Sequence, residues 1–412
     1  MKFRVIVVAY TIIIVMWCGA IAGCSRAPLP SIKNSEGGIG RCNYYPWQSK
    51  NLYRNEIIKT DSVKINKGFS APPLCIGGQS YLAPTNTGGI AEIVNDTLAW
   101  FFPGISGGDS SSLNALAVDS AGNIYASTQH SLFSLDVSGK LRWCDSVGDY
   151  GDPSASLSLP LLADGNIYCC SGGGLLFCAD KRGKILWKKE SVQGLLTQIA
   201  ATDAGEVAVV YSGGEFNSTD IVALYDALGN EKWIKEVSCV RILQGPIVCD
   251  GMVVIAGAKD STDVRKGIVY AFDSKGRELY HSSVDLMPTG LSGDLDGNVY
   301  IAGLSLDPQT IASAVAMLNV KGTIRWALAI DGVVGCSPAV TEKYMYVPAT
   351  TSSSRLLYQL SHEGKTEEVE TMPQLAYTPY SPIVDLMGRV VLSNKYGSQL
   401  FVFESDITGK IF

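Results

Sequence analysis

Histidine, charge and helical periodicity are all scarce in this chain, and each shortage removes a class of function. Only 3 histidines occur in 412 residues, and charged side chains make up 17%, against about 25% in ordinary soluble domains. So few imidazoles leave little room for histidine-based metal or acid–base chemistry. His130, His281 and His362 lie far apart in sequence and share no Ser/Asp or Cys pattern of a catalytic triad. The 33 Lys and Arg against 39 Asp and Glu give a net charge of −6, with no basic cluster after the first few residues. Nucleic-acid backbones are held by concentrated Lys and Arg, so nucleic acid is not expected as a partner. No repeat unit carries an apolar period of helical type over about 11 residues, which excludes a solenoid of helix pairs.

Cysteine is present but not organised. Apart from Cys18 and Cys24 there are Cys42, Cys75, Cys144, Cys169, Cys170, Cys178, Cys239, Cys249 and Cys336. Their spacing fits no paired CxxC zinc pattern, and an odd number in an exported chain speaks against a disulfide framework. Most sit in apolar runs, where a cysteine packs as a small hydrophobe.

The N-terminus reads as an export signal. Lys2 and Arg4 precede an apolar run from Val5 to Gly23, and Ile21-Ala22-Gly23-Cys24 follows the pattern of a lipobox, small residues before a cysteine that is acylated and becomes the new N-terminus. The run is also long enough for an uncleaved signal anchor, which is the alternative. Residues 1–23 are expected to be a lipoprotein signal peptide, Cys24 the lipidated residue and residues 24–40, rich in Pro, Gly and Ser, a flexible tether. Residues 41–412 then form one domain.

Glycine is abundant, 43 residues, and its placement organises that domain. One phrase recurs: an apolar run, an acidic or polar residue, a glycine turn and a bulky residue. It reads LFSLDVSGKLRW at 132–143, LLFCADKRGKILW at 175–187, IVALYDALGNEKW at 221–233 and AVAMLNVKGTIRW at 314–326. The turn glycines Gly139, Gly183, Gly229, Gly276, Gly322, Gly364 and Gly409 recur at roughly 45 residues, and a degenerate copy at 89–100 makes eight units. Upstream in each unit a second turn signal, such as Asp164-Gly165 or Asp294-Leu-Asp296-Gly297-Asn298, separates two apolar β-branched runs. Four short antiparallel strands per unit is the size of a propeller blade, so the fold class is all-β, an eight-bladed β-propeller. The chain stops at Phe412 before a full last strand, and the segment 51–59 is expected to supply it and close the ring, since an open edge invites aggregation.

The phrase resembles the pyrroloquinoline-quinone-type (PQQ-like) repeat, in which the terminal Trp packs between neighbouring blades. Trp100, Trp143, Trp187, Trp233 and Trp326 hold that position, Tyr280 substitutes in blade five and blade seven loses it. Pro46-Trp47 with Asn51 and Arg54 is similar to a lead-in that precedes such propellers. With the lipobox, the resemblance implies a non-enzymatic envelope lipoprotein, a monomer tethered to the periplasmic face of an outer membrane. It would act as a scaffold for envelope proteins, including components of β-barrel assembly. Two rivals share the repeat. One is a quinone- or metal-dependent oxidoreductase, for which the adjacent Cys169-Cys170 is the lure, because quinoprotein alcohol dehydrogenases carry a vicinal disulfide over the quinone. The other is a ligand- or carbohydrate-sensing surface propeller. Neighbouring strand residues point to opposite faces, so Cys169 and Cys170 read as structural. The Asp294–Asn298 element lacks the Glu of a calcium loop and reads as turn chemistry. No cofactor, metal or catalytic residue is assigned. The longer connections at 212–220, 259–266, 305–313 and 349–355 all fall between second and third strands, and are expected to cluster on one face, where partners dock.

Overall fold

Each turn-glycine phrase from Gly139 to Gly364 folds as a closed hairpin whose geometry explains its residues. In LFSLDVSGKLRW the Asp136 carboxylate accepts the N–H groups of Ser138 at 2.9 Å and Lys140 at 3.0 Å, while Gly139 N–H donates to the Asp136 carbonyl at 3.0 Å. An aspartate that binds its own backbone in this way pre-forms the turn. Gly139 sits at φ +80°, a left-handed conformation that costs any residue with a Cβ roughly 1–2 kcal/mol. Beyond the glycine the ladder shifts by one residue, so that Ser134 faces Trp143 but Leu135 faces Leu141. This bulge turns the fourth strand and aims the Trp along the ring.

The structure, a computed structural model, describes residues 68–404 except 78–79, 96, 106–112, 114–115, 148–156, 159, 191–194, 213–219, 238–240, 260–265, 308–309, 373–379, 386–387 and 394–398. It also describes three N-terminal strands, Lys33–Asn34, Tyr44–Tyr45 and Arg54–Lys59. All regular elements described are strands or bridges, and no helix occurs among the described residues. They form eight antiparallel blades, at 74–102, 116–146, 161–190, 195–236, 241–284, 287–330, 339–371 and 383–404. The signal peptide, Cys24, most of the tether, the Pro46-Trp47-Asn51 part of the lead-in, Cys42, Cys239 and Gly409 lie outside the described residues.

The first strand of each blade lies against the first strand of the next, and that of blade eight, Ile383–Val384, against that of blade one, Leu74–Gly77, which makes the ring. Because strands alternate in direction, the turns between strands one and two and between strands three and four share one end of every blade, here the turn face. The connections between strands two and three lie on the opposite, loop face. Middle strands are buried on both sides: Ile124–Ser127 and Leu176–Ala179 have no exposed residue. This is why the sequence shows unbroken apolar runs where a one-sided sheet would alternate. The cores lie between blades, as where Val210, Val222 and Leu224 of blade four meet Val253, Ile255 and Phe272 of blade five.

Three N-terminal strands join the blades. Arg54–Lys59 pairs antiparallel with Gln399–Glu404, in the outer position of blade eight. Lys33–Asn34 pairs antiparallel with Leu116–Val118, and Tyr44–Tyr45 runs parallel to Ala339–Thr341, so each adds a strand at the inner edge of a blade. Within the expected tether, then, Lys33 and Asn34 are paired.

The expected loop at 305–313 is mostly strand. Ser305 faces Ala312, Leu306 faces Ile311 and Asp307 faces Thr310, so Val299–Asp307 and Thr310–Leu318 extend as one long hairpin. The ladder thus continues past the blade edge by backbone pairing of 305–307 with 310–312.

A ring contact repeats around the propeller. A Cβ added at Gly139 would stand 2.5 Å from the Trp100 ring, and one at Gly364 2.5 Å from the Trp326 ring. Gly139→Ala is therefore expected to cost about 2–4 kcal/mol, strain plus overpacking. Gly165→Ala, at φ +73° with nothing within 4 Å of the new Cβ, should cost about 1–2 kcal/mol from strain alone. Urea denaturation of the two variants side by side checks this, and equal losses would show that the ring contact adds nothing.

Candidate functional site

In blades one to six the aromatic residue at the Trp position reaches into the next blade. Trp100 lies on the turn glycine of blade two, Trp143 on Gly183, Trp187 on Gly229, Trp233 on Gly276, Tyr280 on Gly322 and Trp326 on Gly364. Three of them also donate an indole N–H to a carbonyl of that turn: Trp143 to Lys181 at 3.0 Å, Trp187 to Ala227 at 2.9 Å and Trp326 to His362 at 2.8 Å. Trp100 Nε1 and Trp233 Nε1 make no such bond among the described residues. At blade five the Tyr280 hydroxyl has none either, and Ser282 Oγ donates to the Gly322 carbonyl at 2.6 Å in its place. Glu368 stands at the corresponding register in blade seven.

Beneath these contacts the turn face carries buried polar knots that the sequence reading took only as turns. Asp119 accepts from Asn123 N at 2.9 Å and Asn123 Nδ2 at 2.9 Å, from Tyr125 Oη at 3.0 Å, and faces Lys181 of the next blade at 3.7 Å. The pattern recurs in blade six: Asp294 accepts from Asn298 N at 2.9 Å, Asn298 Nδ2 at 2.8 Å and Tyr300 Oη at 2.9 Å. Tyr300 Oη also meets His362 Nδ1 of blade seven at 2.7 Å, and His362 Nε2 lies 2.9 Å from the Thr341 carbonyl. A carbonyl only accepts, so Nε2 carries a proton and the imidazole is held at both nitrogens. Between blades eight and one, Arg389 donates to Asp385 at 2.6 Å and to Tyr81 Oη at 2.6 Å, with Arg389 and Asp385 almost fully buried. The spacing Asp-x-x-Gly-Asn-x-Tyr, present at 119–125 and 294–300, is the signal from which these knots could have been read.

A cleft of about 690 Å³ opens over the blade six and seven knot, lined among others by Asp296, Tyr300, Met317, Lys343, Tyr344 and His362. Its buried carboxylate, that of Asp294, is spent on its own turn, and His362 is spent on Tyr300 and Thr341, so neither is available as a base or ligand. His281 pairs with Glu278 at 2.7 Å on the surface of blade five, and His130 belongs to blade two. The three histidines are thus not brought together.

The residues present do not fit a quinone with its metal ion. Among the described residues no three His, Cys, Asp or Glu side chains converge to hold an ion. Cys169 and Cys170 lie in the second strand of blade three with their side chains in different cores: Cys169 packs with Tyr125 and Leu132 of blade two, Cys170 with Ile199 and Val209 of blade four. Cys169 is a thiol, and complete burial, with Cys170 and Cys178 nearby, pushes it well above the usual range. It is inert by that criterion. Of the long connections expected between second and third strands, residues 213–219 and 260–265 lie outside the described residues. Lys259 N–H donates to the Lys266 carbonyl at 2.7 Å at the base of one, and the 349–355 connection narrows to a turn in which Thr351 N–H donates to Ser354 at 2.9 Å.

Known proteins share this geometry. The family model described as outer membrane protein assembly factor BamB matches residues 96–261. The chain is an eight-bladed propeller of PQQ-like repeats that resembles BamB. Among solved structures, BamB from Moraxella catarrhalis is 17% identical, with a TM-score of 0.61 over 87% of this chain and 99% of that one. The quinohemoprotein alcohol dehydrogenase ADHIIG from Pseudomonas putida HK5 is 11% identical, with a TM-score of 0.63 over 92% of this chain and 81% of that one. At these identities the likeness is one of fold. No curated protein matches the chain by sequence.

The knots carry a pH dependence. Burial disfavours the Asp119 carboxylate, but the hydrogen bonds from Asn123 and Tyr125 and the charge of Lys181 outweigh it, and its pKa falls below the usual range. A carboxyl with a depressed folded pKa contributes stability that is fully present above the unfolded value, about 3.9, and is lost as pH falls through the folded one. Asp119→Asn is therefore expected to be less stable than the parent at pH 7, with the gap closing below about pH 4. Denaturant titrations across pH check this, and a gap that persisted at low pH would assign the loss to packing.

Proposed function

We propose that the chain is a non-enzymatic scaffold of the cell envelope, lipid-anchored through Cys24 at the periplasmic face of an outer membrane, which holds other envelope proteins during outer-membrane protein assembly. The observation that carries this reading is coverage: the ring matches 99% of BamB from Moraxella catarrhalis, so the propeller itself is what the two have in common. The quinoprotein reading is weakened by Cys169 and Cys170, which belong to two separate cores. A rigid ring offers its loop face, with the four longer connections of blades four to seven, to a partner. Its outer strands guard their edges with charge, as in ILWKKE of blade three and EKWIKE of blade four.

Cross-linked capture of the lipidated protein, with mass spectrometry of what is retained, tests the scaffold role. Components of β-barrel assembly are expected; recovery of lipoprotein-sorting machinery alone would sink it. In the same preparation the N-terminal peptide should begin at an acylated Cys24. Cys24→Ser should then block acylation and processing, whereas normal membrane behaviour of that variant would establish a signal anchor.

We further propose that Arg54–Lys59, as the outer strand of blade eight, closes the ring. Deleting residues 41–60 should lower the melting temperature by at least about 5 °C, and an unchanged value would refute closure by this segment.

A further inference from the structure

The direction of one short strand and the make-up of one face point the same way. Lys33 faces Val118 and Asn34 faces Ala117. Val118 is the end of its strand next to the turn at 119–123, so the N-terminal end of Lys33–Asn34 points to the turn face. Cys24 lies nine residues before Lys33, a reach of at most about 30 Å even when fully extended.

The turn face differs from the rest of the surface in kind. The three most exposed large apolar side chains among the described residues are Leu228 at 76%, Leu295 at 55% and Val137 at 52%, and all three stand on its turns. Val320 joins them from blade six. Interleaved with these tips on the outer turns are Lys140, Arg182, Lys184, Lys275, Lys321 and Lys365, all exposed. The aspartates of the same turns are engaged by backbone N–H groups, Asp180 by Arg182 and Lys184 and Asp226 by Leu228 and Asn230. Glu363 is exposed on the outer turn of blade seven, beside Lys365, whereas the exposed Asp164, Asp203, Asp250 and Asp296 sit on the inner turns nearer the ring axis. On the outer circle, then, cations outnumber carboxylates among apolar tips, a composition that suits the interface of an anionic bilayer.

We propose that the turn face is the side turned to the membrane, its apolar and basic tips resting on anionic lipid headgroups, and that the loop face is held away from the bilayer, toward soluble partners. This rests on the lipid anchor at Cys24. The anchor restricts the chain to the surface, and the tips set its orientation.

The test is amine footprinting of the full lipidated chain in vesicles of mixed zwitterionic and anionic phospholipid, against the same protein in detergent. Labelling of Lys140, Lys321 and Lys365 should fall about fivefold in the vesicles, the factor that ~1 kcal/mol of headgroup attraction per lysine gives. Labelling of Lys259 and Lys266, on the loop face, should not change. Val137→Glu with Leu228→Glu, both on exposed tips, should restore labelling of Lys140 while the protein stays with the vesicles. An acylated Cys24 with both lysine sets labelled alike, or with Lys259 and Lys266 protected instead, overturns the orientation alone. An unacylated Cys24 overturns the anchor and the orientation together.

Discussion

The structure depends on an aromatic ring laid over a glycine in the neighbouring blade. Trp100 on Gly139 and Trp326 on Gly364 are two copies of one contact, and the chemistry of the repeat serves it. The aspartate closes the turn, glycine takes the left-handed conformation without a side chain in the way, and the bulge after it swings the Trp outward toward the next turn. An indole lying on backbone buries a large apolar area while its N–H can still reach a carbonyl, as Trp143, Trp187 and Trp326 do. Where the Trp is lost to Tyr280, a serine two residues on supplies the missing bond to the same turn. The seam keeps its hydrogen bond although the aromatic residue has changed.

The polar knots add a second layer to the same seams. They set a carboxylate, a tyrosine hydroxyl and a group from the adjacent blade within hydrogen-bond or ion-pair reach, with Lys181, His362 and Arg389 as three different solutions. Groups that could have served catalysis are consumed in joining blades. His362, half-buried in the cleft, is held at both nitrogens, and the Asp294 carboxylate is engaged by its own turn and by Tyr300. The two faces of the ring also differ: turns tipped with apolar and basic side chains lie on one, and the connections between second and third strands on the other.

How much of this was legible follows from the range of each interaction. Blades, their number and the Trp position could be read because the turn glycine and the aspartate act within five residues, and local chemistry leaves a local pattern. The buried middle strands were legible for a related reason, since blades on both sides demand unbroken apolar runs. The local half of the knots at Asp119 and Asp294 leaves the Asp-x-x-Gly-Asn-x-Tyr spacing, but the partner in the next blade, His362 for Tyr300, leaves none. The segment 305–313 was expected as a connection, and its pairing was not legible because the extra ladder is made by backbone groups beyond the repeating blade pattern. Lys33–Asn34 escaped because two residues at an inner edge pair by backbone alone, which leaves no side-chain signature.

The aromatic contacts all point one way, from each of blades one to six to its successor. A nascent blade therefore has no seat for its own Trp until the following forty-odd residues have been made, and the first and last blades meet only when the whole chain is present. Open repeat arrays can fold and fray unit by unit; here each unit waits on the next around a circle. Such a chain is committed to late, collective assembly. A nick in any of the six aromatic seams would therefore be felt on both sides of it, in the blade that lends the ring and in the blade that seats it.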